Sequence, residues 1–382
     1  MHGFEIIIPR ADTGSLKWDK YAGKDILPLW VADMDFASPP AVLEALRARV
    51  DHGVFGYTIP DDNVTHAVLD YLHDRHGIHA QPNWLVWSPG LVPALNLACR
   101  ATGHPGSGVL INTPVYPPFL SAPPFSDRKR ISVPLIREDE QWQIDWAAME
   151  AAVSPTTALM ILCHPHNPVG RVWRRDELER IVDFCARHNL TLVSDEIHCD
   201  LILEDLPHVA TLTLSEEARR RTIALYSPSK TYNLPGLACS YAVIPDESLR
   251  SAFTRTARGI ITEINALGYV GCAAAYQHGE PWRKELVRYL RDNRDLVFSF
   301  VRDRLPGVIM HPMEATYLAW LDVRGLALEQ PAAFFESAGV GLSNGVDFGA
   351  PGFLRLNFGC PRETLTAALE RMAVALSAPR SA

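Results

Sequence analysis

The sequence predicts an α/β protein with a mostly parallel sheet. Short apolar runs in the middle of the chain are each followed by a polar or proline-marked turn and then by a helical pattern. Continuous apolar strands that alternate with helices are typical of a parallel sheet covered on both faces. The predicted strands are Trp84–Trp87, Val109–Ile111, Leu159–Cys163, Thr191–Val193 and Ile223–Tyr226.

Amphipathic segments with helix-start and helix-end signals supply the second observation. In 39–52, Pro40 lies near the first turn, a stripe from Val42 to Val50 forms one face, and Gly53 can end the helix. Similar patterns predict further helices over 176–188, 281–305 and 362–377.

Length, charge and cysteine usage narrow the class of protein. The 382 residues are enough for about two to three domains. The net charge of −8 argues against a nucleic-acid partner. We expect neither a signal peptide nor a membrane span, since the first residues lack a long apolar region and no apolar run is long enough for a bilayer. The seven cysteines are scattered with no CxxC pair. We therefore expect reduced thiols in the cytoplasm, and no bound metal.

Chemically useful residues follow the predicted strands. Since ligands of parallel sheets bind beyond the carboxyl ends of the strands, these residues should converge. The segments concerned are 88–90, 112–116, 164–167, 195–198 and 227–230.

The converging groups suit a phosphorylated aromatic aldehyde as cofactor. Lys230 can form a Schiff base, and a buried Asp195 can hold a ring nitrogen protonated. Tyr116 can stack on the ring, and the turn ending at Gly90 can present backbone N–H groups to a phosphate. Pyridoxal 5'-phosphate (PLP) requires this set of groups.

Nine motifs extend the argument over nearly the whole chain. They are KWD (17–19), LPLWVADMDF (27–36), FGYT (55–58), VYPPF (115–119), HPHNPVGRVW (164–173), SDEIHCDL (194–201), SPSKTYNLPGL (227–237), EATYLAWLD (314–322) and RLNFGCPR (355–362). On these residues the chain resembles fold-type I PLP enzymes of the class I/II aminotransferase superfamily. Within that superfamily it resembles more closely the cystathionine β-lyase-like C–S lyases of the MalY/PatB type.

The resemblance implies an architecture of two domains. A large PLP-binding domain would span 51–284. A small α+β domain would combine 1–50 with 285–382. Active sites would be shared in a homodimer, because Tyr57 should reach the phosphate of the neighbouring subunit's cofactor.

The resemblance also implies roles for cofactor-binding residues. Lys230 would be the Schiff-base lysine and proton shuttle, and Asp195 would pair with the pyridine nitrogen. Asn167 and His198 would bind the ring hydroxyl, while Tyr116 would stack on the ring. The phosphate would be held by the backbone of Gly90 and Leu91 and by the side chain of Ser227.

For the substrate, the resemblance implies that Arg355 grips the carboxylate, with Asn167 beside it. Trp30 and Asp33 would shape the pocket. One position departs from many superfamily aminotransferases: Ala238 stands where they place a phosphate-binding arginine, eight residues after the lysine. The C–S lyase branch commonly lacks this arginine too, so its absence favours that branch.

The implied activity is α,β-elimination from L-cystathionine or another L-cysteine S-conjugate, which gives a thiol, pyruvate and ammonia. Transamination is the main alternative, since Lys230, Asp195 and Arg355 serve both reactions. More remote alternatives are an enzyme of specialised thioether metabolism and a regulatory PLP-binding protein.

Overall fold

The computed structural model describes residues 3–377, which form strands, helices and short 3₁₀ turns. In chain order the strands are β1 Leu27–Pro28, β2 Leu85–Ser88, β3 Gly108–Thr113, β4 Lys129–Glu138, β5 Gln141–Ile144, β6 Thr157–Cys163, β7 Thr191–Asp195, β8 Thr222–Tyr226, β9 Ser240–Val243, β10 Ile309–Met310, β11 Leu318–Asp322, β12 Val340–Gly341, β13 Ser343–Asn344 and β14 Phe353–Asn357. The helices are α1 Leu16–Asp19, α2 Pro40–Asp51, α3 Asp62–His76, α4 Leu91–Ala101, α5 Pro117–Phe125, α6 Trp146–Ala152, α7 Arg175–Arg187, α8 Glu216–Arg221, α9 Glu247–Ala257, α10 Ala266–His278, α11 Glu280–Arg304, α12 Pro331–Ser337 and α13 Arg362–Ser377.

Within the described residues, a large sheet has the strand order β2-β9-β8-β7-β6-β3-β4-β5. Strands β8, β7, β6, β3 and β4 pair in parallel, while β9 is antiparallel to both of its neighbours. The predicted α/β class with a mostly parallel sheet is therefore confirmed. The strand predicted at Trp84–Trp87 pairs antiparallel, because β9 returns beside β8 without a crossover helix.

Both faces of the large sheet are buried. Along β6, Leu159 and Ile161 pack with α4 and α5, whereas Met160 and Leu162 pack with α7 on the opposite face. This alternation explains the continuous apolar run in the sequence, since neither face of the strand meets water. Strands β3, β6, β7 and β8 run in one direction, and β2 runs the same way because β9 is antiparallel to both β2 and β8. The carboxyl ends of these five strands therefore lie along one edge of the sheet.

A second, antiparallel sheet has the order β10-β11-β14-β13 and packs with α11 and α13. The early strand β1 pairs with β12, so the beginning of the chain joins the part that follows α11. The predicted helices 39–52, 176–188, 281–305 and 362–377 are confirmed within one or two residues at each end as α2, α7, α11 and α13. No helix within residues 3–377 has the length and apolar character needed to cross a membrane.

Candidate active site

The carboxyl edge of the large sheet forms one wall of a cavity of about 300 Å³. Its lining draws on the turns after β2, β3, β6, β7 and β8, as the sequence predicts. The structure brings together seven of the candidate residues here: Gly90, Leu91, Tyr116, Asn167, Asp195, His198 and Lys230.

Lys230 lies in the turn after β8, and its side chain reaches the segment around Ala32. Its Nζ donates a hydrogen bond to the backbone oxygen of Ala32 over 2.5 Å. Burial lowers the pKa of Lys230 to about 8, and the charge of Arg355 acts in the same direction. The amine is therefore neutral in an appreciable fraction of molecules near neutral pH, as a nucleophile or base must be.

Asp195 ends β7 and is buried. Its Oδ1 accepts one hydrogen bond, from the backbone N–H of Ile197 at 3.2 Å. Burial raises the pKa of Asp195 to about 7, and the negative charge of Glu196 adds to the effect. The carboxyl group has spare acceptor capacity that faces the cavity.

The next residue, Glu196, lies outside the cavity lining and has four hydrogen-bond donors. The donors are Ser194 Oγ at 2.8 Å, the Thr211 N–H at 3.1 Å, His208 Nε2 at 2.7 Å and Tyr226 OH at 2.6 Å. Burial opposes ionisation, but the hydrogen bond and charge of His208 outweigh it and hold the pKa of Glu196 far below its ordinary value.

Arg355 is placed by the central strand β14 of the second sheet. Its guanidinium donates to Asn167 Oδ1 at 3.1 Å and to the Trp30 backbone oxygen at 3.0 Å. Burial lowers its pKa to about 10, so it stays cationic. Its Nε has no partner, and no carboxylate among residues 3–377 lies within 4.0 Å of it. A buried guanidinium in this state is prepared for an anion.

His198 and Tyr116 lie in the same wall. Burial lowers the pKa of His198 to about 3, with the charges of Lys230 and Arg355 acting in the same direction, so its ring is neutral. Its buried Nδ1 has no hydrogen-bond partner among residues 3–377. Tyr116 immediately precedes α5 and lines both this cavity and a second one beside it.

The N-terminus of α4 forms a further part of the lining. Gly90 precedes this helix with φ +156°, and no side chain caps it. Free N–H groups at a helix N-terminus attract anions. Ser227 lies outside the lining, because its hydroxyl donates to Cys239 O at 2.8 Å. Ser229 and Ser240 line the cavity instead. Sequence reasoning missed both, although Ser229 directly precedes Lys230.

Residues 30–36, which we call the N-terminal strap, lie against the cavity, and Ala32 of this segment lines it. Asn357 Nδ2 donates to Val31 O at 2.6 Å and to Asp33 O at 2.8 Å. Asn233 Nδ2 donates to Met34 O at 2.9 Å and to Phe36 O at 2.8 Å. Both asparagines were missed from the sequence. Each follows a recognised motif residue, Lys230 or Arg355, by two or three positions, which is the signal that could have found them.

Besides Ser227 and Arg355, three further predicted residues lie apart from the lining of the first cavity. The carboxylate of Asp33 accepts from Arg10 at 2.7 Å and lines neither cavity. Trp30 lines the second cavity, which measures about 810 Å³ and includes Arg355. Tyr57 is fully exposed in the single chain.

The fold and the site together define a class: a fold-type I enzyme with a lysine and a carboxylate in one cavity at the sheet edge, and an arginine that contacts Asn167 of that cavity from the adjoining one. The chain belongs to the aminotransferase class I and II family, whose model matches residues 24–372. The family resemblance seen in the sequence is thereby confirmed.

Individual relatives cover almost the full length. The chain is 39% identical to cystathionine beta-lyase PatB of Bacillus subtilis, over 96% of this chain and 98% of the relative. The crystal structure of OvoB matches with a TM-score of 0.96 at 44% identity, over 99% of this chain and 100% of the other. Cystalysin of Treponema denticola, which contains a pyridoxal 5'-phosphate cofactor, matches with a TM-score of 0.95 at 34% identity, over 98% and 99%.

Proposed function

We propose that this protein is a PLP-dependent carbon–sulfur β-lyase. It would cleave L-cystathionine or another L-cysteine S-conjugate to a thiol, pyruvate and ammonia. The observation that carries the proposal is a cavity lined by a lysine of lowered pKa and an under-bonded aspartate, beside an arginine that has no carboxylate partner among residues 3–377. That arginine, Arg355, donates to Asn167 of the same lining. The resemblance to a relative named cystathionine beta-lyase supports it.

The residues present fit PLP. Asp195 has acceptor capacity for a pyridine N–H, and the unpartnered Nδ1 of His198 is a buried polar atom without a use inside the protein. The uncapped start of α4 suits a phosphate. We propose that Lys230 binds the aldehyde, Asn167 and His198 the ring hydroxyl, Tyr116 the ring face, and Gly90 and Leu91 the phosphate. Ser227 would act through Ser229.

When bound, PLP supplies an electron sink for the pair released as the substrate's Cα–H bond breaks. Asp195 keeps a proton on the ring nitrogen. Arg355 binds the substrate carboxylate in a bidentate pair, with Asn167 beside it. Lys230 accepts the Cα proton at Nζ, since its pKa is lowered to about 8. The thiolate would then leave from Cβ, and the second cavity, which Arg355 also lines, offers space for it.

The deciding experiment is incubation of the purified enzyme with L-cystathionine and no keto-acid acceptor. Catalytic release of pyruvate supports the lyase. Stoichiometric conversion of the cofactor to its amine form, with no pyruvate, would instead identify an aminotransferase. The protein should also be yellow, and Lys230→Ala should abolish both the visible absorption band and pyruvate release.

We further propose a homodimer with shared active sites. Val54, Phe55, Tyr57 and Ile59 are exposed on a segment without helix or strand, as an interface would require. Tyr57 would reach the partner's cofactor phosphate. A mass near that of one chain in light scattering would contradict this, and Tyr57→Phe should weaken cofactor binding without changing the mass.

Domain division and location stay proposals as well. We retain a small domain of 1–50 and 285–382 around a large domain of 51–284. The second boundary falls inside α11, five residues after that helix begins. All seven cysteines are free and buried, which supports a reducing cytoplasm. Limited proteolysis and cell fractionation would test these two points.

A further inference from the structure

The second cavity, of about 810 Å³, adjoins the first and holds more than a substrate's amino-acid part needs. The two cavities share Tyr116 in their linings, and Arg355 lines the larger one. A substrate that places its carboxylate on Arg355 therefore has room for its thiol half in this larger space, which we call the thiol chamber.

Lys20 lies in the wall of the thiol chamber, beside Trp30. Its ammonium is 4.5 Å from the Trp30 ring centroid and 4.8 Å from that of Tyr21. Cation–π contacts of this kind hold a lysine in place without neutralising it. No carboxylate among residues 3–377 lies within 4.0 Å of its Nζ, so the charge is open to an outside anion.

Trp30 fixes Lys20 relative to Arg355. The indole N–H of Trp30 donates to Lys17 O at 3.1 Å, and the Trp30 backbone oxygen accepts from Arg355 at 3.0 Å and from Ser343 at 2.7 Å. One residue thus carries Lys20 on its ring and contacts Arg355 through its backbone. The two cations line one chamber and both contact Trp30.

Acidic residues occupy other parts of the same lining, namely Glu329, Glu336 and Asp347. Glu336 accepts from Tyr21 OH at 3.0 Å, on the ring that Lys20 also contacts. The thiol chamber therefore does not attract anions over its whole surface. Once Arg355 is occupied, Lys20 is the cation of the lining that remains for an anion.

We propose that Lys20 selects cysteine S-conjugates whose thiol half carries an anionic group, such as a carboxylate. This inference rests on the proposed lyase function. Lys20 acts on binding of the thiol half and takes no part in bond breaking. Its effect should consequently fall on KM, and on one class of substrate only.

The experiment compares S-(2-carboxyethyl)-L-cysteine with its carboxamide analogue, S-(2-carbamoylethyl)-L-cysteine, by pyruvate release from the holoenzyme. Lys20→Met keeps the length of the side chain, Lys20→Arg restores the charge, and Lys24→Met removes an exposed lysine outside the lining. In Lys20→Met we expect KM for the carboxylate substrate to rise about five-fold, with kcat and the carboxamide substrate unchanged. Lys20→Arg should restore the preference, and Lys24→Met should behave as wild type.

The outcomes separate the two levels of the argument. Release of no pyruvate from either substrate overturns the lyase function and this inference with it. Pyruvate release with the same carboxylate-to-carboxamide ratio in wild type and Lys20→Met overturns the role of Lys20 alone. A preference for the cationic S-(2-aminoethyl)-L-cysteine that persists in Lys20→Met also overturns it, because the acidic wall would then set selectivity.

Discussion

Asp195 and Glu196 are neighbours at the end of β7, both buried, yet their surroundings act in opposite directions. Asp195 has one backbone donor, and its pKa is raised to about 7. Glu196 has four donors, one of them His208, and its pKa is held far below its ordinary value. Burial penalises both charges alike, so the donors decide which carboxylate ionises.

The different numbers of hydrogen-bond donors give the two neighbouring carboxylates different roles, one structural and one functional. Glu196 has all its hydrogen-bond donors inside the protein, so its charge contributes to the stability of the fold. Asp195 is left short of donors on the side that faces the cavity, so its charge depends on what is bound there. A cationic ring nitrogen would supply the missing donor and lower the pKa of Asp195.

The largest expected effect is on activity. Asp195→Asn removes the charge that holds the ring proton, and we expect kcat for pyruvate release to fall about 1,000-fold or more. The exposed Asp183→Asn serves as the matched control and should leave kcat unchanged. Near-normal activity of Asp195→Asn, with cofactor bound, would remove Asp195 from its proposed role.

The second prediction concerns pH in the cofactor-free protein. Since the folded pKa of Asp195 is raised from 3.8 to about 7, the fold favours its protonated form. Its contribution to the free energy of unfolding is greatest below pH 3.8 and falls as pH rises towards 7, by about 3 to 4 kcal/mol in total. Urea unfolding of wild type and Asp195→Asn at several pH values isolates this group. A wild-type minus variant difference that stays constant from pH 4 to 7 would contradict it.

The third prediction is that Glu196 stabilises the fold with the opposite pH dependence. Glu196→Gln breaks a buried pair with His208, and we expect the free energy of unfolding at pH 7 to drop by about 3 kcal/mol. Because the pKa of Glu196 is depressed, the loss should shrink as pH falls below the unfolded value of 4.5. Glu179→Gln, on the exposed face of α7, is the control. Equal stability of the two variants would show that Glu196 is not charged in the fold.

The smallest effect should come from a single donor. Ser194→Ala removes one of the four hydrogen bonds to Glu196, at a cost of about 1 kcal/mol in the free energy of unfolding. Pyruvate release should be unaffected, because Ser194 lines neither cavity. A large loss of activity at unchanged stability would mean that the two carboxylates are not independent.

The part of the site that the sequence reveals lies at strand ends. Lys230, Asp195 and Asn167 follow apolar runs, and a parallel sheet must bring such positions together. Arg355 is different, because it comes from a separate sheet and was recognised through a motif rather than through geometry. The fold class was predictable for the same reason as the strand ends, since the period of the apolar residues reports which faces are buried.

Other features depend on distances that no local pattern records. Ser229, and not the predicted Ser227, lines the cavity, because the Ser227 hydroxyl is bonded to the backbone oxygen of Cys239. The donors of Glu196 come from residues as much as 30 positions away. Asp33 was expected in the substrate pocket, but its carboxylate lies against Arg10, a pairing that only the folded chain displays. The charge of Asp33 nevertheless raises the pKa of Lys230 against the effect of burial, so its part in shaping the site stays a prediction.

The N-terminal strap also sets an order of assembly. Its backbone groups are held by Asn233, 197 to 199 residues further along the chain, and by Asn357, 324 to 326 residues further along. A ribosome therefore releases the strap long before Asn357, so the strap cannot make all of these contacts until nearly the whole chain has been synthesised. The order of synthesis thus leaves the last contacts of the strap to the strand that also carries Arg355.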